Sequence, residues 1–154
     1  MPTTTNQKWS IDIKIVKAAD GDIGYVIATK DCYTKEILSV CVERRHTAKE
    51  IENALYQALA NRNLKEFPFD EIHIVSDNGT EIIKAMRALK YIGIKHCRIT
   101  PGSPWENGDI ESFFSCLEGE VIQRFEIEDF NQMRELGMYW LMLHDSCTIF
   151  RGSN

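Results

Sequence analysis

The sequence predicts an α/β protein in which helices flank a mixed five-stranded sheet. Three strand-like segments, 11–17, 23–30 and 37–43, follow one another early in the chain, and their short connections favour antiparallel hairpins. Two later strands, 71–76 and 94–99, alternate with amphipathic helices, and this alternation favours parallel pairing. A sheet that contains both kinds of pairing follows.

Four helices are predicted from apolar residues that recur at helical spacing. The first begins after its capping residue Thr47, and the second spans Thr80–Lys90 and is stopped by Gly93. The third carries Glu111, and the fourth spans 128–144. The residues predicted to face inward are Ile51, Ala54, Leu55, Ala58 and Leu59; Ile82, Ile83, Met86 and Leu89; Ile110, Phe113, Phe114, Leu117 and Val121; and Phe130, Met133, Gly137, Trp140 and Leu141.

Composition fits one globular domain, since 44% of the 154 residues are hydrophobic and 27% are charged. We expect a disordered or extended segment at 1–8 and a core domain at 9–154. No apolar run is long enough to span a bilayer, and the polar start has no signal-peptide core, so a cytoplasmic location is expected. The five cysteines are never spaced Cys-x-x-Cys, which favours neither a disulfide framework nor a zinc site.

Three acidic residues are placed where they can converge. Asp77 ends the short apolar run 73–76, at the tip of a predicted strand. Asp12 is the single acid of an alternating strand and lies on the face opposite its isoleucines. Glu111 lies about one turn inside a helix that Asn107 can cap, at the border of the apolar stripe.

These residues lie in motifs that resemble the DDE transposases and retroviral-type integrases, above all the transposases of bacterial insertion sequences. A Trp precedes a short Asp-containing strand, as Trp9 precedes Asp12, and Asp-Asn-Gly follows a later strand at Asp77. The third acid falls in a Pro-Gly-Ser-Pro-Trp-Glu-Asn-Gly-x-x-Glu-Ser-Phe pattern, which 101–113 reproduces. The resemblance covers 9–124 and implies a ribonuclease H-like fold, which has the predicted order of strands and helices.

The resemblance also implies a metal-dependent polynucleotidyl transferase that cleaves DNA and transfers strands. Asp12, Asp77 and Glu111 would be the catalytic residues and the ligands of two Mg²⁺ or Mn²⁺ ions. Carboxylates this close repel one another unless a cation balances them, and oxygen ligands suit these two metals. Two ions about 3.5–4 Å apart activate an attacking oxygen and stabilise the leaving one.

The expected partners are DNA, both element ends and target, and a second copy of the chain, with no membrane. A separate DNA-recognition subunit or domain is also expected, since the first predicted strand begins near Trp9. The residues predicted to contact substrate are Asn78, Trp105, Asn107 and Glu118.

The sequence departs from the family in its charge. The net charge is −5, and two positions after Glu111 that are usually basic are Cys116 and Glu118 here. Two alternatives therefore stay open beside the enzyme: a decayed or domesticated core that serves as a non-catalytic dimerisation or tethering module, and a ribonuclease H-like nuclease acting on another nucleic acid.

Overall fold

The fold is built on one five-stranded sheet, seen in a computed structural model that describes residues 3–64, 69, 71–77, 79–98 and 108–139. The order across the sheet is β3-β2-β1-β4-β5. The first three strands pair antiparallel, whereas β4 pairs parallel with both β1 and β5. The predicted mixed sheet is confirmed. The strands are β1 (Lys8–Lys17), β2 (Ile23–Asp31), β3 (Ile37–Glu43), β4 (His73–Ser76) and β5 (Lys95–Arg98).

The helices begin close to the predicted positions. They are α1 (Ala48–Asn61), α2 (Thr80–Leu89), α3 (Gly108–Leu117) and α4, which is described over 130–139. All five residues predicted to face inward on α1 are buried. On α2 the prediction was wrong at one position: Ala85 is buried, whereas Ile83 is only half-buried because it lies at the border of the stripe.

The sheet separates two hydrophobic clusters, one on each face. The first contains Trp9, Ile11 and Ile27 together with the buried sides of α1 and α2. The second contains Val16 and Val26 together with residues of α3 and α4. The domain therefore has three layers, and Trp9, which is 0% exposed, belongs to its core.

Helix α4 lies unusually close to the sheet at a glycine. A Cβ on Gly137 would lie 2.7 Å from Cγ2 of Val42, so only glycine permits this approach. The helix is capped by Asp129, whose carboxylate accepts a hydrogen bond of 2.8 Å from the amide of Gln132. The predicted inward residues Trp140 and Leu141 lie outside the described residues.

Helix α3 changes character at its carboxyl end. The prediction of one regular helix to Val121 was wrong, because α3 ends at Leu117 and a π-helical turn spans Glu118–Ile122. The amide of Gln123 donates to the carbonyl of Glu118, five residues earlier, over 2.9 Å. In the part of the chain that the structure describes, no helix has the length and apolar character needed to cross a bilayer.

Candidate active site

The pairing of β1 with β4 brings two of the predicted acids together. Ser10 is the last β1 residue paired with β4, opposite Val75. The same parallel register continued by two residues sets Asp12 opposite Asp77, on strands about 4.8 Å apart. Both residues line one cavity of about 430 Å³, which opens where β4 has ended and β1 continues.

Backbone amides orient both carboxylates. Oδ1 of Asp77 accepts a hydrogen bond of 2.9 Å from the amide of Gly79, at the start of α2. A Cβ on Gly79 would lie 3.1 Å from this oxygen, so a larger residue would press on the carboxylate. Oδ1 of Asp12 accepts a hydrogen bond of 2.8 Å from the amide of Ile13.

A partly buried pair of hydrogen bonds holds the end of β4. The hydroxyl of Ser76 donates to the carbonyl of Asp77 over 3.0 Å, and its oxygen lies 2.6 Å from Nε2 of His96 on β5. A hydroxyl has one proton, so Nε2 of His96 is the donor to Ser76. The main chain of Asp77 is thus tied to the neighbouring strand.

Sequence reasoning missed four polar or aromatic residues that line the same cavity: Tyr25, His46, Thr80 and Glu81. Glu81 follows Asp77 by four residues, but an acid in the first turn of a helix is common for reasons of the helix dipole alone. The rings of Tyr25 and His46 lie 4.4 Å apart, and they come from β2 and from the β3–α1 connection. Only tertiary structure brings these two residues to the acids.

Glu111 is not brought to Asp12 and Asp77 in the structure. It lies on α3 with an exposed side chain and does not line the cavity. The described ranges contain no group of three His, Cys, Asp or Glu residues arranged to hold a metal ion. The three-acid site therefore stays a prediction, and Asn78, Trp105 and Asn107 lie outside the described residues.

Glu118 is paired with a cation from the sheet. Its Oε2 lies 3.0 Å from Nζ of Lys14, which follows Asp12 by two residues on the same face of β1. Glu118, which the sequence predicted to contact substrate, is therefore balanced by a lysine.

The donor atoms at the cavity suit a hard divalent cation, because the carboxylates of Asp12 and Asp77 offer only oxygen. No sulfur ligand competes from Cys41, which does not line this cavity. Burial, with the nearby Glu43 carboxylate, raises the pKa of its thiol to about 11, and the thiol donates to Oε1 of Gln57.

The strand order and the helices on both faces define a class, the ribonuclease H-like fold, and solved structures share it. The catalytic domain of Mos1 mariner transposase matches 96% of this chain and 75% of its own, with a TM-score of 0.68 and 11% identity. The HTLV-2 integrase catalytic core, solved in complex with magnesium in a dimeric form, matches 75% of this chain and 69% of its own, with a TM-score of 0.57 and 20% identity.

Within that class, the chain belongs to the integrase core domain family, whose model matches residues 2–104. An uncharacterized transposase-like protein of Haemophilus influenzae is 29% identical over 135 residues, which cover 86% of this chain and 60% of that protein. An uncharacterized 31 kDa protein of insertion element IS600 from Shigella sonnei is 28% identical over 130 residues, 83% of this chain and 46% of that protein. The chain spans about half the length of the curated relatives that it matches. The predicted resemblance is thus confirmed for the family.

Proposed function

We propose that this chain is the catalytic core of a DNA transposase or integrase, a metal-dependent enzyme that cleaves DNA and transfers strands. Asp12 and Asp77 are its fixed carboxylates, and Glu111 on α3 completes the set. The observation that carries the proposal is the position of Asp12 beside Asp77 at one cavity of an integrase-family fold.

The proposed role of the protein is to hold the metal-binding carboxylates in position. Mg²⁺ or Mn²⁺ bound by the carboxylates would supply Lewis-acid activation of the attacking oxygen and stabilisation of the leaving oxygen. The amides of Ile13 and Gly79 hold the two carboxylates in place, and the Ser76–His96 pair holds the main chain behind Asp77. Preorganised ligands of this kind lower the cost of binding a cation in a defined geometry.

We further propose a second copy of this chain and a DNA duplex as its partners. The HTLV-2 integrase core is described in a dimeric form, and one curated relative, from Lactococcus lactis, is named a transposase for insertion sequence element IS904. A separate recognition subunit or domain would select the DNA sequence, and the enzyme would act in the cytoplasm.

A non-catalytic dimerisation or tethering module is the second candidate. It is favoured by the exposed position of Glu111 away from the cavity and by the net charge of −5. Under this candidate the carboxylates of Asp12 and Asp77 persist without turning over DNA.

The test combines cleavage with thermal unfolding. Nicked and branched DNA is incubated with the protein and Mg²⁺ or Mn²⁺, alongside Asp77→Asn, Asp12→Asn and the control Glu135→Gln, an exposed acid of α4. We expect the wild type and the control to cut DNA, and both Asp variants to lose activity. Mn²⁺ should also raise the melting temperature of the wild type, because the ion binds the carboxylate site of the folded state and not the unfolded chain. The melting temperature of Asp77→Asn should not rise, because this variant lacks one carboxylate of the site.

Three results would separate the candidates. The tethering module would be favoured if the wild type never cuts DNA, and if Mn²⁺ raises the melting temperature of the wild type but not that of Asp77→Asn. Cleavage of RNA in preference to DNA would favour the ribonuclease H-like nuclease. An equal Mn²⁺ shift in the wild type and in Asp77→Asn would contradict the site itself.

A further inference from the structure

A second groove runs beside the acid cavity. It has a volume of about 270 Å³ and follows the connection between β3 and α1. It shares three lining residues with the acid cavity, so the two depressions adjoin, and we call the two together the channel. The shared residues are Tyr25, His46 and Glu81.

The outer end of this channel carries positive charge in an otherwise acidic protein. Arg44 and Arg45 are consecutive, and both line the second groove. The guanidinium of Arg44 is held, since it lies 4.2 Å from the centre of the Phe130 ring and 3.8 Å from the Asp22 carboxylate. Arg45 is exposed, and its guanidinium forms no ion pair within 4.0 Å with any carboxylate of the described residues. The pKa of Glu50 is lowered chiefly by the Thr47 hydroxyl and also by the charge of Arg45.

The charges along the channel are Asp12 and Asp77 at one end, Glu81 where the two depressions meet, and Arg45 at the other end. A nucleic-acid strand whose reacting phosphate lies at the acids must lay its next phosphates along the channel. A guanidinium suits such a phosphate because its donors form a rigid fork that matches two phosphate oxygens. Local charge, rather than the net charge of −5, governs this contact because exposed charges are screened within about 8–10 Å.

We propose that Arg45 binds the backbone phosphate of the DNA strand that enters the Asp12–Asp77 cavity, along the groove that Tyr25 and His46 join to it. This inference rests on the proposed function, since it names where the substrate of that same site is held. Arg45 is a binding residue in this proposal and takes no part in the bond-making step.

The experiment measures how DNA affinity depends on salt. Binding of a short nicked duplex is titrated at several salt concentrations with Ca²⁺ present, for the wild type, Arg45→Ala and Arg45→Lys. The matched control is Arg87→Ala, an exposed arginine of α2 that lines neither groove. Affinity falls as salt rises, so the slope of log affinity against log salt is negative. Loss of one phosphate contact makes this slope shallower, reducing its magnitude by about 0.9.

Arg45→Ala should therefore show a slope smaller by about 0.9, and its deficit in affinity should shrink about 3.5-fold between about 50 and 200 mM salt. Arg45→Lys should restore the slope, because it restores the charge, and Arg87→Ala should match the wild type. Melting temperatures equal to that of the wild type would confirm that the exposed substitutions leave the fold intact.

Two different failures are distinguishable. If the wild type binds and cuts DNA but Arg45→Ala and Arg87→Ala have the same slope, the phosphate contact is refuted and the proposed function stands. If the wild type itself binds no DNA at low salt, the proposed function fails and this inference falls with it.

Discussion

The ion pair between Lys14 and Glu118 gives the sharpest prediction about the proposed DNA interface. The two charged atoms lie 3.0 Å apart, and the side chains are 28% and 39% exposed. Lys14 shares a face of β1 with Asp12, so its charge lies near the proposed metal site. Glu118 neutralises that charge, and its replacement should release Lys14 for a DNA phosphate.

The magnitude follows from the charge that each substitution frees. Glu118→Gln releases one cation, and Glu118→Lys releases one and adds another. The slope of log affinity against log salt should therefore become steeper, its magnitude increasing by about 0.9 and about 1.8, respectively. Between about 50 and 200 mM salt, the gain of Glu118→Gln over the wild type should shrink about 3.5-fold. Stability should change by less than about 1 kcal/mol, since a partly exposed ion pair contributes little.

The assay is a DNA titration at several salt concentrations, with Glu135→Gln as a control that removes an exposed acid from α4. A general effect of net charge would tighten binding equally in Glu118→Gln and in this control. Equal slopes for the wild type, Glu118→Gln and Glu118→Lys would show that this end of α3 does not meet DNA, and would favour the tethering module.

Two further predictions concern stability. Gly137→Ala should destabilise the fold by about 1–3 kcal/mol in urea unfolding, because its Cβ would collide with Val42 across the α4–β3 contact. Glu50 should stabilise the fold above its ordinary pKa of 4.5, since the hydroxyl and the amide of Thr47 donate to its carboxylate and the pKa is lowered in the native state. This stabilisation, measured as the difference in unfolding free energy from Glu50→Gln, should disappear as the pH falls through the lowered pKa.

Each of these has its own control. Gly119→Ala adds the same methyl group where no atom lies within 4 Å, so it should not destabilise the fold. An equal loss of stability in Gly119→Ala and Gly137→Ala would show that close packing against Val42 is not the cause. For Glu50, the matched variant is Thr47→Val, which removes the hydroxyl donor and should remove most of the pH-dependent difference between Glu50 and Gln at position 50. A Glu50 difference that stayed constant down to strongly acidic pH would show that the capping interaction contributes nothing.

The sequence predicted most of the fold because local periodicity and tertiary burial agree along most of the chain. On α1 every predicted inward residue is buried, since the apolar stripe there is wide and continuous. At α3 the same reasoning failed beyond Leu117, where Gly119 weakens the helical preference and a π-helical turn replaces the regular spacing. Periodicity carries no information about such a change in hydrogen-bond pattern.

The site was predictable only in part. Asp12 and Asp77 could be placed on neighbouring strands because the family resemblance implied a fold in which the first strand lies beside the strand after the first helix, and β1 does pair with β4. The contributions of Tyr25 and His46 could not, because they come from β2 and from the β3–α1 connection, whose position relative to the acids depends on packing. The ion pair of Glu118 likewise joins two distant elements, and sequence reasoning saw only its negative charge.

The distribution of cations is what would let a protein with 18 basic and 23 acidic residues bind the proposed DNA substrate at one place. Lys14 lies on the face of β1 that it shares with Asp12 and is paired with Glu118, whereas Arg45 lies in the connection between β3 and α1 and lines the groove beside the acid cavity. The two cations therefore act on different segments of a bound strand, and their effects on the salt slope should add because distant sites are energetically independent. In the double variant Glu118→Gln with Arg45→Ala, one contact is gained and one is lost, so the slope should return to the wild-type value. A double-variant slope equal to that of Arg45→Ala would mean that the freed Lys14 contacts no phosphate, and one equal to that of Glu118→Gln would mean that Arg45 contacts none. Either result would contradict the proposed path of DNA along the channel.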